Sequence, residues 1–177
     1  MLELCLADVA PVRAEPGDGS ERVTELLRGD AVRVEERRDG WARIVTAYDY
    51  PGWVREEALA RRDGDPAAEA RAYLGAPYLW GGMTERGIDC SGLVHMAHRL
   101  VGRLVPRDAD QQEGAGSEVD DPRVGDLVTY GEGSADHIAF WLGEGRILHA
   151  TGRDGLGVVE EDEPEDLRDR RRRFVRL

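Results

Sequence analysis

The chain has 177 residues, enough for one ordinary domain or a small domain joined to a medium one. Its net charge of −12 argues against nucleic acid or an anionic membrane as the main partner, and its 24 basic residues are all Arg. No stretch approaches the roughly 20 apolar residues of a membrane span. Taken as the natural N-terminus, Met1–Val9 has no basic segment and carries Glu3 early, so a signal peptide is not expected and the expected location is cytoplasmic. Cys5 and Cys90 do not form the spacing of a disulfide framework, and Cys5, alternating with Leu4 and Leu6, reads as structural.

Residues 1 to about 60 read as short strands between turns: Leu2–Val9, Arg22–Leu27, Ala31–Glu36, Trp41–Val45 and Gly52–Val54. Breaks fall at Pro16-Gly17-Asp18-Gly19, Gly29-Asp30, Asp39-Gly40 and Tyr50-Pro51-Gly52. Five short strands in so few residues fit a small barrel, and their order resembles a bacterial SH3 domain. The polar run Arg61–Asp65 marks the expected boundary between a first domain, 1–62, and a second, 63–177.

The second domain opens with a capped helix: Asp65 as cap, Pro66 at the first position, Ala67 to Leu74 as its body and Gly75 as its stop. Gly81, Gly82 and Gly87 then give turn chemistry before a second helix begins at Cys90. Leu93, Ala97, Leu100 and Leu104 make its apolar stripe. A thiol at the mouth of that helix feels the positive end and unpaired N–H groups, both of which lower its pKa; a buried inert cysteine is the alternative. A turn into a short polar helix follows at Pro106–Gln112. Strands are expected at Asp126–Tyr130, His137–Leu142, Arg146–Ala150, Gly157–Glu160 and Arg173–Leu177. Helices first and sheet second make this half α+β. Acidic Glu160–Asp166 and basic Arg170–Arg173 read as solvated faces or as mutual pairs.

A reactive thiolate needs a base and a group that holds the base. His95 lies about 140° round the helix from Cys90 and His98 roughly 12 Å along it, so both are set aside as surface or helix-face residues. His137 and His149 sit on a hairpin. A three-residue loop, Gly143-Glu144-Gly145, would pair Leu142 with Arg146 and put His149 opposite Ala139. The two rings would then be diagonal neighbours on one face, and a two- or four-residue loop would separate them.

Tyr-Leu-Trp-Gly-Gly, Asp-Cys-Ser-Gly-Leu-Val, Pro-Arg-Asp-Ala-Asp-Gln-Gln, Gly-Asp-Leu-Val, His-Ile-Ala-Phe-Trp-Leu-Gly and Ile-Leu-His-Ala, in that order, resemble the NlpC/P60 family of papain-like cysteine peptidases. With the SH3-like half in front, the chain is similar to γ-D-glutamyl-diamino-acid peptidases acting on cell-wall (murein) peptides. The resemblance implies Cys90 as nucleophile, His137 as general base and acid, His149 as orienting residue, and no cofactor. It implies Tyr78 near the oxyanion, Asp89 and Ser91 as a substrate-holding pair, and Tyr50 and Glu21 of the first domain at the end of the pocket that admits a free N-terminal L-Ala. Helix capping is the plainer role for Asp89, and a barrel-surface role the plainer one for Tyr50 and Glu21. Ala109 stands where many relatives carry Ser. Trp80 reads as packing. Two other functions use the same residues: a murein-peptide-binding module without activity, and a zinc site from Cys90, His137 and His149.

Overall fold

The computed structural model describes residues 2–60 and 64–177, so residues 61–63 of the expected boundary lie outside the described residues. The backbone forms two compact units, one comprising the residues up to 60 with 99–103, the other 64–98 with 104–177.

The first unit is SH3-like. Its strands are β1 (Leu2–Cys5), β2 (Val9–Arg13), β3 (Arg22–Leu27), β4 (Ala31–Arg38), β5 (Trp41–Thr46), β6 (Pro51–Arg55) and β7 (Leu59–Ala60), in the order β3-β2-β6-β5-β4-β1-β7. The expected strand Leu2–Val9 is broken after Cys5. There Leu6 and Gly29 enter loop hydrogen bonds, with Gly29 N–H on Cys5 O at 2.8 Å, and a second strand starts at Val9. Alternating residues Ala10, Val12, Leu26, Val32, Ile44 and Val54 close the core, with Cys5 buried among them as expected.

The second unit begins with α1 (Pro66–Ala70), whose cap is the expected one: Asp65 accepts from Ala67 N–H at 2.9 Å. A 3-10 turn, Arg71–Tyr73, continues it. The short hairpin β8 (Met83–Thr84) and β9 (Gly87–Ile88) leads into α2 (Cys90–Leu100), and α3 (Ala109–Ala115) follows. Cys90, Leu93, Val94 and Ala97 form the buried stripe of α2. Leu104 does not extend it: the helix stops at Leu100, Gly102 takes φ +75°, and Leu104 is 57% exposed.

The remaining strands are β10 (Ser117–Glu118), β11 (Leu127–Tyr130), β12 (His137–Gly143), β13 (Arg146–Thr151), β14 (Gly157–Asp162) and β15 (Arg171–Arg176), with the single-turn α4 (Glu165–Arg168) before the last. They make an antiparallel sheet ordered β10-β15-β11-β12-β13-β14. One face carries Val128, Tyr130, Ala139, Ile147 and Trp141, under Leu167 of α4. On the other, Phe140 stacks on His98 of α2, ring centroids 5.9 Å apart. Both faces are therefore buried, which is why β11 and β12 read as apolar runs instead of alternating strands.

His98 corrects the surface reading given to it. It is 3% exposed, and its Nδ1–H donates to Val94 O at 2.9 Å, a bond that satisfies the ring inside the helix–sheet layer. The acidic stretch 160–166 is likewise only partly a solvated face. Glu163 is 2% exposed, pairs with Arg171 and Arg168, and accepts from the Tyr130 hydroxyl at 3.0 Å.

Candidate active site

The site is built on the start of α2 and on the β12–β13 hairpin. Asp89 is the cap of α2: its Oδ1 accepts from Gly92 N–H at 2.7 Å, and Oδ2 accepts from Gly81 N–H at 2.7 Å and from the Arg107 guanidinium at 2.8 Å. The capping role weighed for Asp89 is thus present, while its side chain also borders the cleft. Gly92 is dictated by close approach, because a Cβ there would lie 2.4 Å from Gly82 O and 2.8 Å from Asp89 Oδ1. The turn through Gly81–Gly82 and the first turn of α2 are thereby locked together, fixing where Cys90 points.

Arg107 is the residue that reading the Pro-Arg-Asp motif left without a role. Besides Asp89 it donates to Ser91 Oγ at 2.9 Å and to Gly82 O at 3.2 Å, so one guanidinium fork ties cap, helix and turn. Burial alone would raise the Asp89 pKa. Arg107 and the N–H groups of Gly92 and Gly81 more than offset that and hold the carboxyl below its usual range.

The Cys90 side chain meets the backbone N–H of Ile138, one residue after His137, and also its own and the Ser91 N–H. These donors favour a thiolate, yet burial outweighs them and pushes the thiol up to about 11. The lowering expected from the helix end is therefore overturned by desolvation, a cost of charging the sulfur that a sequence does not display. Burial also drives His137 down to about 3. Burial thus favours the neutral thiol of Cys90 and the neutral imidazole of His137.

The hairpin differs from expectation in its turn and agrees in its register. The loop is the two-residue Glu144-Gly145, both at positive φ (+52° and +77°), as a primed hairpin turn requires. A two-residue loop by itself would have put the rings on opposite faces. A bulge between Trp141 and Gly143 absorbs the extra residue, so that Phe140 faces Leu148 and Trp141 faces Ile147. His149 consequently shares a face with His137, and His137 Nε2 lies 2.8 Å from His149 Nδ1 with the rings edge-on at 80°.

Beyond His149 the hydrogen bonds continue into the acidic stretch that in the sequence reads as a solvated face or as a partner of the basic run. His149 Nε2 lies 2.8 Å from Glu161 Oε1, and Arg153 holds both oxygens of Glu161 at 2.6 and 2.5 Å. Glu161 on β14 faces Ile147 on β13, two residues from His149, so the two side chains are diagonal neighbours. Only the β13–β14 register could have revealed it. Burial lowers the His149 pKa, opposed by the hydrogen bond to Glu161.

A cleft of about 450 Å³ opens over Cys90, Ser91 and Asp89, bordered by Trp80, Arg107, Ala109 and Asp136. Trp80 is 80% exposed at its rim, correcting the packing role given to it. Tyr78 is half-buried, and burial, then the charges of Cys90 and Asp89, raise its pKa, so its hydroxyl stays protonated. Ala109 starts α3 and offers no hydroxyl to the cleft. Tyr50 and Glu21 are exposed on the first unit. His95 turns to the chain after α2, its Nδ1 2.9 Å from Val105 O. Among the described residues no group of three or more His, Cys, Asp and Glu is disposed to hold a metal ion, so the geometry does not support the zinc alternative.

Residues 75–166, just over half of the chain, match the NlpC/P60 family. The chain belongs to the NlpC/P60 family. Residues 12–59 match the bacterial dipeptidyl-peptidase Sh3 domain, in keeping with the first unit. This NlpC/P60 chain is 40% identical over 152 residues to a γ-D-glutamyl-L-lysine dipeptidyl-peptidase of Bacillus subtilis, covering 75% of the chain and 49% of that protein. It is 38% identical over 105 residues to the peptidoglycan endopeptidase RipB of Mycobacterium tuberculosis, covering 51% and 44%. The chain thus spans less than half the length of these curated relatives. The structure of RipB aligns with a TM-score of 0.56 at 32% identity, over 64% of this chain and 62% of that one. An NlpC/P60 protein of Bacillus cereus shares the fold over 99% of this chain and 62% of its own, with a TM-score of 0.63 at 22% identity.

The depressed His137 pKa has a consequence for stability. Below pH 6.5 an unfolded chain protonates this histidine, whereas the folded one keeps it neutral down to about pH 3. The unfolded state then binds more protons, so stability is lost as pH falls through that window. Asp89, whose pKa is lowered, acts in the same direction only below the ordinary aspartate value of 3.8. Thermal unfolding should weaken by about 2 kcal/mol between pH 6.5 and 4.5 in the native protein. In His137→Asn that slope should flatten, and an unchanged slope would show that other groups set the acid response.

Proposed function

We propose that the chain is a cysteine peptidase that hydrolyses the amide between γ-D-Glu and the diamino acid of murein peptides carrying a free N-terminal L-Ala. The observation that carries the reading is that Cys90, at the mouth of α2 and under an open cleft, meets the N–H of Ile138, the residue next to His137, while His137 lies 2.8 Å from His149. The likeness to the γ-D-glutamyl-L-lysine dipeptidyl-peptidase of Bacillus subtilis supports this bond, and that to the peptidoglycan endopeptidase RipB supports the polymer.

In this reading His137 takes the thiol proton as the sulfur attacks the γ-carbonyl carbon. Burial favours the neutral thiol and imidazole, so in this reading the proton moves as the sulfur attacks. The new C–S bond converts the carbonyl to an oxyanion. The Cys90 N–H at the mouth of α2 and the protonated Tyr78 hydroxyl are its donors. The tetrahedral species collapses to a thioester as the C–N bond breaks, and His137 returns the proton to the leaving amine. Water, deprotonated by the same ring, then releases the acid and restores the thiol. The cleft is bordered by Asp89, Asp108, Asp110 and Asp136 against Arg107, an excess of negative charge that favours a substrate with an ammonium group.

The test is incubation with L-Ala-γ-D-Glu-diaminopimelate and its Lys counterpart, with and without N-acetylation, followed by mass analysis. Release of the L-Ala-γ-D-Glu dipeptide from the free peptides, and at least tenfold less from the acetylated ones, is expected. Saturable binding of all four without any product would sink the peptidase and leave a binding module.

A further inference from the structure

We propose that Glu161 is a positioning residue for the two histidines, fixing the direction of every hydrogen bond between itself and His137; as a role in catalysis this rests on the peptidase reading above. The argument follows from what each atom can do. An ionised carboxylate only accepts, so the 2.8 Å contact to Glu161 requires the proton of His149 on Nε2. A neutral His149 then has its lone pair on Nδ1 and can only accept there. The 2.8 Å contact from His137 Nε2 must therefore be a donation from His137 to His149. That leaves Nδ1 as the lone pair of a neutral His137, the nitrogen that takes the thiol proton in the peptidase reading. Reverse the direction at Glu161 and the base would present N–H instead of a lone pair.

The anchoring is built for the purpose. The His149 side chain is fully buried, so its orientation cannot be supplied by water. Arg153 grips both carboxylate oxygens, fixing the Glu161 plane and partly neutralising its charge. The other charged and titratable groups around the pair are Asp166 of α4, Arg170, which is paired with Asp136, and the Tyr130 phenol 5.7 Å from the His137 ring. Glu161, unlike them, is bonded to His149, and it does not line the cleft.

Carboxylate and guanidinium bear on His149 with opposite signs, which makes the proposal separable from a stabilising role. Nitrogen NMR of the full chain labelled at histidine should show both rings neutral with the proton on Nε2. In Glu161→Ala the His149 tautomer should become mixed, and kcat should fall roughly 10–100-fold with KM within twofold, the size usual for partners that orient an imidazole. Glu161→Gln keeps an acceptor oxygen and should restore the tautomer and most of kcat. Lacking the charge, it should still move the acid side of the pH–rate profile to lower pH, as Glu161→Ala does. Arg153→Met should move it to higher pH. The proposal is overturned if a folded Glu161→Ala leaves both tautomers and the acid profile unchanged, or if kcat falls only in step with melting temperature. Should the native protein turn over no peptide, the peptidase reading falls while the NMR result still decides how Glu161 orients the rings.

Discussion

Cys90→Ala should abolish release of the dipeptide, lowering kcat by at least about 10⁴-fold, the scale on which removal of a nucleophile acts when the rest of the machinery stays in place. Of Cys90, His137, His149 and Glu161, the sulfur is the nucleophile that borders the cleft, where the acyl carbon would lie. Cys90→Ser should fail almost as completely. Burial already pushes the thiol up to about 11, and a hydroxyl, far less acidic, would face the same desolvation with a His137 that burial has made a weaker base. Folding should survive both changes, since the anchors of the helix start are Asp89, Gly92 and Arg107 and not the sulfur. Cys90→Ala should therefore still bind the uncleaved peptide, with a Kd measurable by calorimetry. Persistent dipeptide release by the alanine variant would end the assignment of the nucleophile.

The second large effect concerns His149. With His149→Leu, the His137 Nε2–H loses its acceptor and the ring can turn or exchange tautomers, which puts N–H where a lone pair is needed. A loss of roughly 10³–10⁴ in kcat is expected, comparable to what a wrong tautomer costs in a serine triad. Asn at the same position places an amide oxygen near the former Nδ1, so His149→Asn should regain at least tenfold over the leucine variant. KM should stay within a few-fold in both. If leucine and asparagine behave alike, or if KM carries the loss, His149 shapes the cleft and does not orient the base.

These two expectations rest on features of unequal visibility. The start of α2 at Cys90, its apolar stripe and the cap at Asp65 follow from spacing and turn chemistry within a few residues. The pairing of His137 and His149 on one face was expected too, but from a loop length that the structure does not have. The turn is two residues, and a bulge at Trp141–Gly143 supplies the residue of offset that a three-residue loop was expected to provide. Alternation along a strand fixes a face only once the pairing is known, and pairing depends on how the bulge is packed.

Local pattern alone determined that this chain carries an SH3-like unit, then a cysteine at a helix mouth and a two-histidine hairpin in the motif order of NlpC/P60. Only the tertiary structure decided that Arg107 locks Asp89, Ser91 and Gly82 together, that His98 is buried against Phe140, and that Glu161 stands behind His149. It also decided that burial, and not the helix end, governs the thiol. The division has a physical cause: turn preference and hydrophobic period act over a few neighbouring residues, whereas strand register and desolvation are set by atoms far apart in the chain and meet only after it has folded.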